Sequence, residues 1–184
     1  FVSNFNSRQA QISFEIPEEL AKDFFMDRVS VTPYSIWAGR TLKESGFRKE
    51  YGVNAVSIER AGKIYDLPDK KMQLLPGDKI TFIGNEDQVA KVRDVLEVEP
   101  DMLIHDHSDH NINNYTMIIP EGHALVGRTI QNAQLMVIYS AMIIGIKRKN
   151  SSLFNPGADT VLQAGDVLLL ISPQNLSSLS SATL

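Results

Sequence analysis

The stretch LLPGDKITFIG, Leu74 to Gly84, sets a Pro-Gly-Asp turn directly before a strand-like apolar run, and LQAGDVLLLIS, Leu162 to Ser172, repeats the arrangement. Laying one over the other needs a shift of 88 residues. The same shift carries Gly39-Arg40-Thr41 onto Gly127-Arg128-Thr129, Tyr51 onto Tyr139, Ile58 onto Ile146, Arg60 onto Arg148, Pro68 onto Pro156 and Ile83 onto Ile171, with no gap. Apolar character follows at Val56 and Ile144, Ile80 and Leu168, Phe82 and Leu170. Self-similarity at a fixed offset marks a repeated structural unit, so the chain reads as two copies of one module.

Within each copy the signals come in one order. A short extended stretch (28–32 and 115–119) leads to Gly-Arg-Thr, whose threonine can cap a helix by accepting a backbone N–H. The first copy then predicts a helix over 42–50, with Gly52 at the left-handed position that closes it. A strand over 53–60 follows, Val56 and Ile58 alternating against Ser57 and Glu59, then an Ala61-Gly62 turn and a return strand around Ile64. In the Gly-Asp turns, glycine supplies a positive φ and aspartate bonds local N–H groups. Asn85 and Gln88 form a capping box for a helix whose Val89, Val92 and Leu96 share one face. Trp37, beside the first helix, reads as packing. The second copy ends with Ser172 as a cap and Pro173 at the first helical position.

The fold class is therefore α+β: two small βαβββα-type modules in tandem, expected to be related by an approximate two-fold axis. The expected division is 1–27, a tail with an extra strand (Ile12, Phe14 and Ile16 alternating) and one helical turn; 28–97, the first module; 98–114, a polar linker; and 115–184, the second module.

Composition narrows the function classes. With 184 residues, 43% hydrophobic and 22% charged, the chain can bury a core. A net charge of -4 argues against a nucleic-acid surface, which needs clustered Lys and Arg. The absence of cysteine excludes disulfides, Cys-ligated zinc and thiol catalysis. The longest apolar run, 135–146, is interrupted by Tyr139, Ser140 and Gly145 and falls short of the roughly 20 residues a membrane helix needs. Because the chain opens on Phe1, it reads as a piece of a longer parent. An enzyme is not expected: His123 is the only histidine outside the linker, and no Gly-x-Ser-x-Gly or His-Glu-x-x-His occurs. Imidazole and carboxylate in His105-Asp106-His107-Ser108-Asp109-His110 suit Zn, Ni or Cu. Adjacent ligands in an extended segment point to alternating sides, however, and structural zinc sites draw on two separated anchors. His105, His107 and His110 are thus weak metal candidates in a solvated linker.

The run from Gly39 to Asn54 (GRTLKESGFRKEYGVN), a hydrophobic strand ending in Arg60, then Pro68 and Leu75-Pro76-Gly77-Asp78 before a strand, resembles the RCK_C domain, also called TrkA-C. The second copy resembles it through Gly127-Arg128-Thr129, the strand 144–148, Asn155-Pro156 and Ala164-Gly165-Asp166. That family is the ligand-sensing C-terminal half of regulators of potassium conductance, also appended to cation/proton antiporters and other carriers. The Rossmann half of a full regulator carries a glycine-rich turn, and no Gly-x-Gly occurs here, so bound NAD or ATP of that type is not expected.

The resemblance implies a cytoplasmic regulatory domain pair of a monovalent cation transporter, a potassium or sodium/proton antiporter such as a Kef-like carrier. It would lie at the cytoplasmic face of the cell membrane, with a transmembrane transport domain in the same parent chain, a homodimer as the assembly, a small molecule or ion as effector and no nucleic acid. The alternative is a dimerisation module of a dicarboxylate-type carrier with no ligand. No cofactor is expected. Cyclic di-AMP, which some RCK_C domains bind, is one candidate effector, and the matching positions are Val53, Asn54, Ala55 and Pro68, with Pro156 in the second copy. Arg60, Arg148 and Lys147 are the cations that could meet its phosphates. The second copy departs from the pattern, with Met142 for the asparagine and Ser140 for the glycine.

Overall fold

The computed structural model describes residues 11–13, 24–96 and 112–176. The strands, in chain order, are β1 (Gln11–Ser13), β2 (Phe25–Ser30), β3 (Asn54–Arg60), β4 (Lys63–Asp66), β5 (Lys79–Gly84), β6 (Asn113–Ile118), β7 (Met142–Arg148), β8 (Ser151–Phe154) and β9 (Val167–Ser172). The α-helices are α1 (Glu86–Leu96), α2 (Ile130–Ala133) and α3 (Leu135–Tyr139). The linker histidines His105, His107 and His110 lie outside the described residues.

The first module is an antiparallel sheet in the order β2-β5-β3-β4, and the second repeats it as β6-β9-β7-β8. The repeat extends to individual bonds. Gly39 N–H donates to Leu74 O as Gly127 N–H does to Leu162 O, and Gly77 N–H donates to Val31 O as Gly165 N–H does to Ile119 O. These are two α+β modules of one design. The second carries an addition: β1 pairs antiparallel with β6, Gln11 against Ile118 and Ser13 against Thr116, giving it a fifth strand.

Two local expectations need correction. Val56 is fully buried, but not in the cluster that holds Ile58. The register slips between Ala55 and Ser57, so Val56 is the extra residue of a β-bulge, and Ala55 joins Ile58 in that cluster. The second copy has the same bulge between Ile143 and Gly145, and Ile143 and Ile146 enter its core. The helix expected over 42–50 is also broken. After the turn at Thr41, Gly46 takes a left-handed φ of 78°, and only a single π-helical turn, Phe47–Tyr51, follows before Gly52 (φ 76°) closes it. The second copy breaks in the same place, where Gln134 (φ 53°) separates α2 from α3 and Ser140 (φ 49°) ends α3.

A left-handed backbone costs a residue with a Cβ about 1–2 kcal/mol, and glycine avoids the clash. Gln134 is exposed. Gln134→Gly, which copies the residue of the first module, is therefore expected to raise stability by about 0.5–1 kcal/mol after the added chain entropy of the unfolded glycine is deducted. Chemical denaturation of the two proteins side by side measures it; a loss of stability would mean that Gln134 makes contacts worth more than its backbone strain.

The cores correspond at most positions but differ in chemistry. The first is aromatic: Trp37 is fully buried, its ring 4.6 Å from Phe47, and Phe47 lies 6.2 Å from Phe82. Leu125, Leu135 and Leu170 fill those places in the second. The predicted capping box closes α1, Gln88 N–H donating to Asn85 Oδ1 and Asn85 N–H to Gln88 Oε1, both at 2.9 Å, while Val89 and Val92 are buried. Ser172 ends β9 and its Oγ accepts from Gln174 N–H at 3.1 Å, but no helix starts at Pro173, and residues after 176 lie outside the described ones.

Candidate functional site

The Gly-Asp turns do more than turn. Asp78 is fully buried, and its carboxylate Oδ2 accepts the Leu75 N–H at 2.8 Å, the local bond expected of an Asp in a turn. The same carboxylate receives Arg60 across the sheet, Nε on Oδ1 and Nη2 on Oδ2, each at 2.7 Å, and Nη2 also donates to Gln73 O at 2.6 Å. In the second module Arg148 Nε and Nη2 meet Asp166 at 2.8 and 3.1 Å, Nη2 donates to Val161 O at 2.7 Å, and Asp166 Oδ2 accepts Gln163 N–H at 2.9 Å. The fork of a guanidinium matches the two oxygens of a carboxylate, so each pair is both charged and geometrically fixed. The hydrogen bond to the aspartate raises the pKa of each arginine, so both stay charged.

Each clamp fastens the end of one strand to the turn that launches its neighbour in the sheet, β3 to β5 and β7 to β9. From sequence alone, Asp78 and Asp166 belong to local turn chemistry and Arg60 and Arg148 to the ligand contacts. The signal for the clamp was available, because arginine and aspartate recur together at a separation of 18 residues in both copies.

The candidate ligand residues divide between two ends of a strand. Asn54 opens β3 and Arg60 closes it, about 20 Å away at the rise of an extended chain. Pro68 belongs to the Asn54 half, since the chain returns through β4 and Leu67 N–H donates to Val56 O. Pro156 is placed likewise, after Asn155 N–H donates to Ile144 O. Val53, Asn54 and Ala55 are buried, with Asn54 at 6% exposure, and Pro68 is half-buried. At this end Gly52 and Gly84 flank Gln88; a Cβ on Gly52 would stand 2.7 Å from Gln88 Nε2 and one on Gly84 2.8 Å from Val53 Cγ1. Both glycines thus give close packing that a side chain would disturb. In the second module Ser140, Ser172 and Leu176 replace Gly52, Gly84 and Gln88, and Gln174 Nε2 donates to Ser140 Oγ at 3.3 Å.

His123 is 5% exposed, and its Nδ1 accepts the Leu125 N–H at 3.2 Å. The Oγ of the equivalent residue, Ser35, accepts the Trp37 N–H at 3.3 Å. Among the described residues no three His, Cys, Asp or Glu side chains are grouped to hold a metal, and no helix is long and apolar enough to cross a membrane.

Comparison with known proteins agrees with this repeat. The TrkA-C domain family matches residues 27–97 and 115–182. Sodium/sulfate cotransporter 2 of Chlamydomonas reinhardtii is 28% identical over 168 residues, 82% of this chain and 19% of that protein. An uncharacterized transporter of Geobacter sulfurreducens is 26% identical over 147 residues, 78% of this chain and 26% of that protein. The chain thus spans about a fifth to a quarter of the length of these relatives. Among solved structures, the RCK_C domain dimer of S. agalactiae BusR in complex with c-di-AMP is 25% identical, covering 41% of this chain and 90% of that one, with a TM-score of 0.36. With its family pattern matched twice over most of its length, this chain belongs to the TrkA-C domain family.

Proposed function

We propose that this chain is the regulatory domain pair of an ion-coupled membrane carrier, positioned at the cytoplasmic face and altering transport when an effector binds. The observation that carries the reading is the doubled TrkA-C match in a chain that corresponds to only 19% of a sodium/sulfate cotransporter, the remainder of which lies outside the match. These relatives favour a sodium-coupled anion carrier as the parent over the potassium or sodium/proton antiporter suggested by resemblance alone. An effector acts in such a pair by binding one conformation more tightly than another.

The ligand position in this reading is the Asn54 end of the first sheet, with Val53, Ala55 and Pro68. The Asn54 amide offers both donors and an acceptor to the edge of a nucleobase. Arg60 and Arg148 take no part, being committed to Asp78 and Asp166 at the far ends of their strands. Met142 supplies no such amide to the second module, so the first module is the binding half.

Cyclic di-AMP is the probe. The melting temperature of the chain is expected to rise with it, since a ligand at 100 times its Kd stabilises the folded state by about 2.7 kcal/mol. Asn54→Ala should weaken binding roughly tenfold, the loss of one to two hydrogen bonds, and Met142→Ala should leave it unchanged. No melting shift and no calorimetric heat at high micromolar cyclic di-AMP would remove this ligand. If the chain then also proved dimeric with every nucleotide absent, the assembly-module reading would stand in its place.

A further inference from the structure

Of the places where the two modules differ, the loop entering the second module has a consequence for regulation that goes beyond effector binding. His123 and Ser35 occupy equivalent positions and perform the same task, accepting the N–H two residues on. A hydroxyl does this at any pH. An imidazole does it only while Nδ1 is unprotonated, which places the single proton of the neutral ring on Nε2. Nε2 is itself buried and has no hydrogen-bond partner among the described residues. A second proton would therefore remove the acceptor of Leu125 N–H and create a charge in a place that offers it no partner.

The surrounding ionisable groups do not compensate. On the loop itself are Glu121 and Arg128, both exposed. The segment bonded to the loop, through Ile119 to Asp166 and Gly127 to Leu162, contributes Asp166, whose carboxylate is held by Arg148 of β7. Leu125, whose N–H is at stake, belongs to the second core, and the Gly127 and Arg128 bonds that follow it anchor the loop to residue 162.

We propose that His123 is an acid-sensitive latch: its protonation releases the 120–128 loop from the second module, while in the first module Ser35 keeps the equivalent bond across the same pH range. Burial lowers the pKa of His123, which agrees in sign. The unfolded chain then takes up the proton at about pH 6.5 while the folded chain does not, so the latch is fully stable above that pH and loses stability as pH falls below it, until the folded pKa is reached. A domain pair built this way would report acidification of its compartment through one half only.

The test uses the full chain with His105, His107 and His110 replaced by alanine, which leaves His123 as its only imidazole. NMR titration is expected to show an Nε2–H tautomer at neutral pH and a pKa below the ordinary histidine range. Hydrogen exchange at the Leu125 amide should lose protection by up to about tenfold per pH unit below 6.5, while the Trp37 amide shows no such change once intrinsic exchange is corrected. In His123→Ser the Leu125 amide should behave like that of Trp37. An Nδ1–H tautomer, an ordinary or raised pKa, or an equal pH response at both amides would overturn the proposal, and the first two need no substitution at His123.

Discussion

Arg60→Ala should destabilise the first module by about 3–5 kcal/mol, because it strands the Asp78 carboxylate at 0% exposure without its counter-ion. The remaining acceptor bond to Leu75 N–H cannot replace two charge-assisted bonds. The chain supplies its own reporter, since its one tryptophan, Trp37, is fully buried in this module. In urea the midpoint followed by Trp37 fluorescence should fall on the order of 2 M. Arg60→Lys keeps the charge but not the fork, and should recover less than half of the loss. An unchanged midpoint in Arg60→Ala would show that the clamp does not support the fold; weakened ligand binding at that unchanged midpoint would return Arg60 to the candidate site.

Phe47→Ala should have an effect of about 3–4 kcal/mol, by a different route. Phe47 is 2% exposed, 4.6 Å from the Trp37 ring and 6.3 Å from that of Tyr51, so truncation leaves a cavity in the middle of the aromatic cluster. The Trp37 emission should shift to the red as water reaches the ring. Phe47→Leu, which adopts the residue of the second module, should cost only about 1–2 kcal/mol, as a smaller apolar group still fills most of the space. If alanine and leucine cost the same, packing around Phe47 is not what holds this cluster together.

How far the sequence could be read depended on whether a feature is local. The Asn85–Gln88 capping box, the Gly52 stop and the Gly-Asp turns are written within a few residues, and each stands as expected. The break at Gly46 was missed because a helix tolerates an isolated glycine in sequence, and only the left-handed φ reveals the interruption; Gln134, at the same break, carries no composition signal at all. The burial of Val56 was legible but not its place outside the Ile58 cluster, because a bulge shifts the alternation of a strand without changing its residues. The Arg60–Asp78 pair joins residues 18 apart through the fold. For the candidate site, the positions were legible but their separation was not. Seven residues of one strand look contiguous in a list, yet Asn54 and Arg60 stand at opposite ends of β3.

The strand β1 comes from residues 11–13, ahead of the entire first module, and takes its partner from residues 116–118, beyond it. During synthesis β1 therefore leaves the ribosome about a hundred residues before the strand it pairs with exists. The first module can fold in that interval, because all four of its strands lie between 25 and 84. The second module has to wait for both ends of the chain. Its gene cannot be cut out as one continuous piece without losing an edge strand, and a shortened N-terminus would be felt by the module farthest from it in sequence.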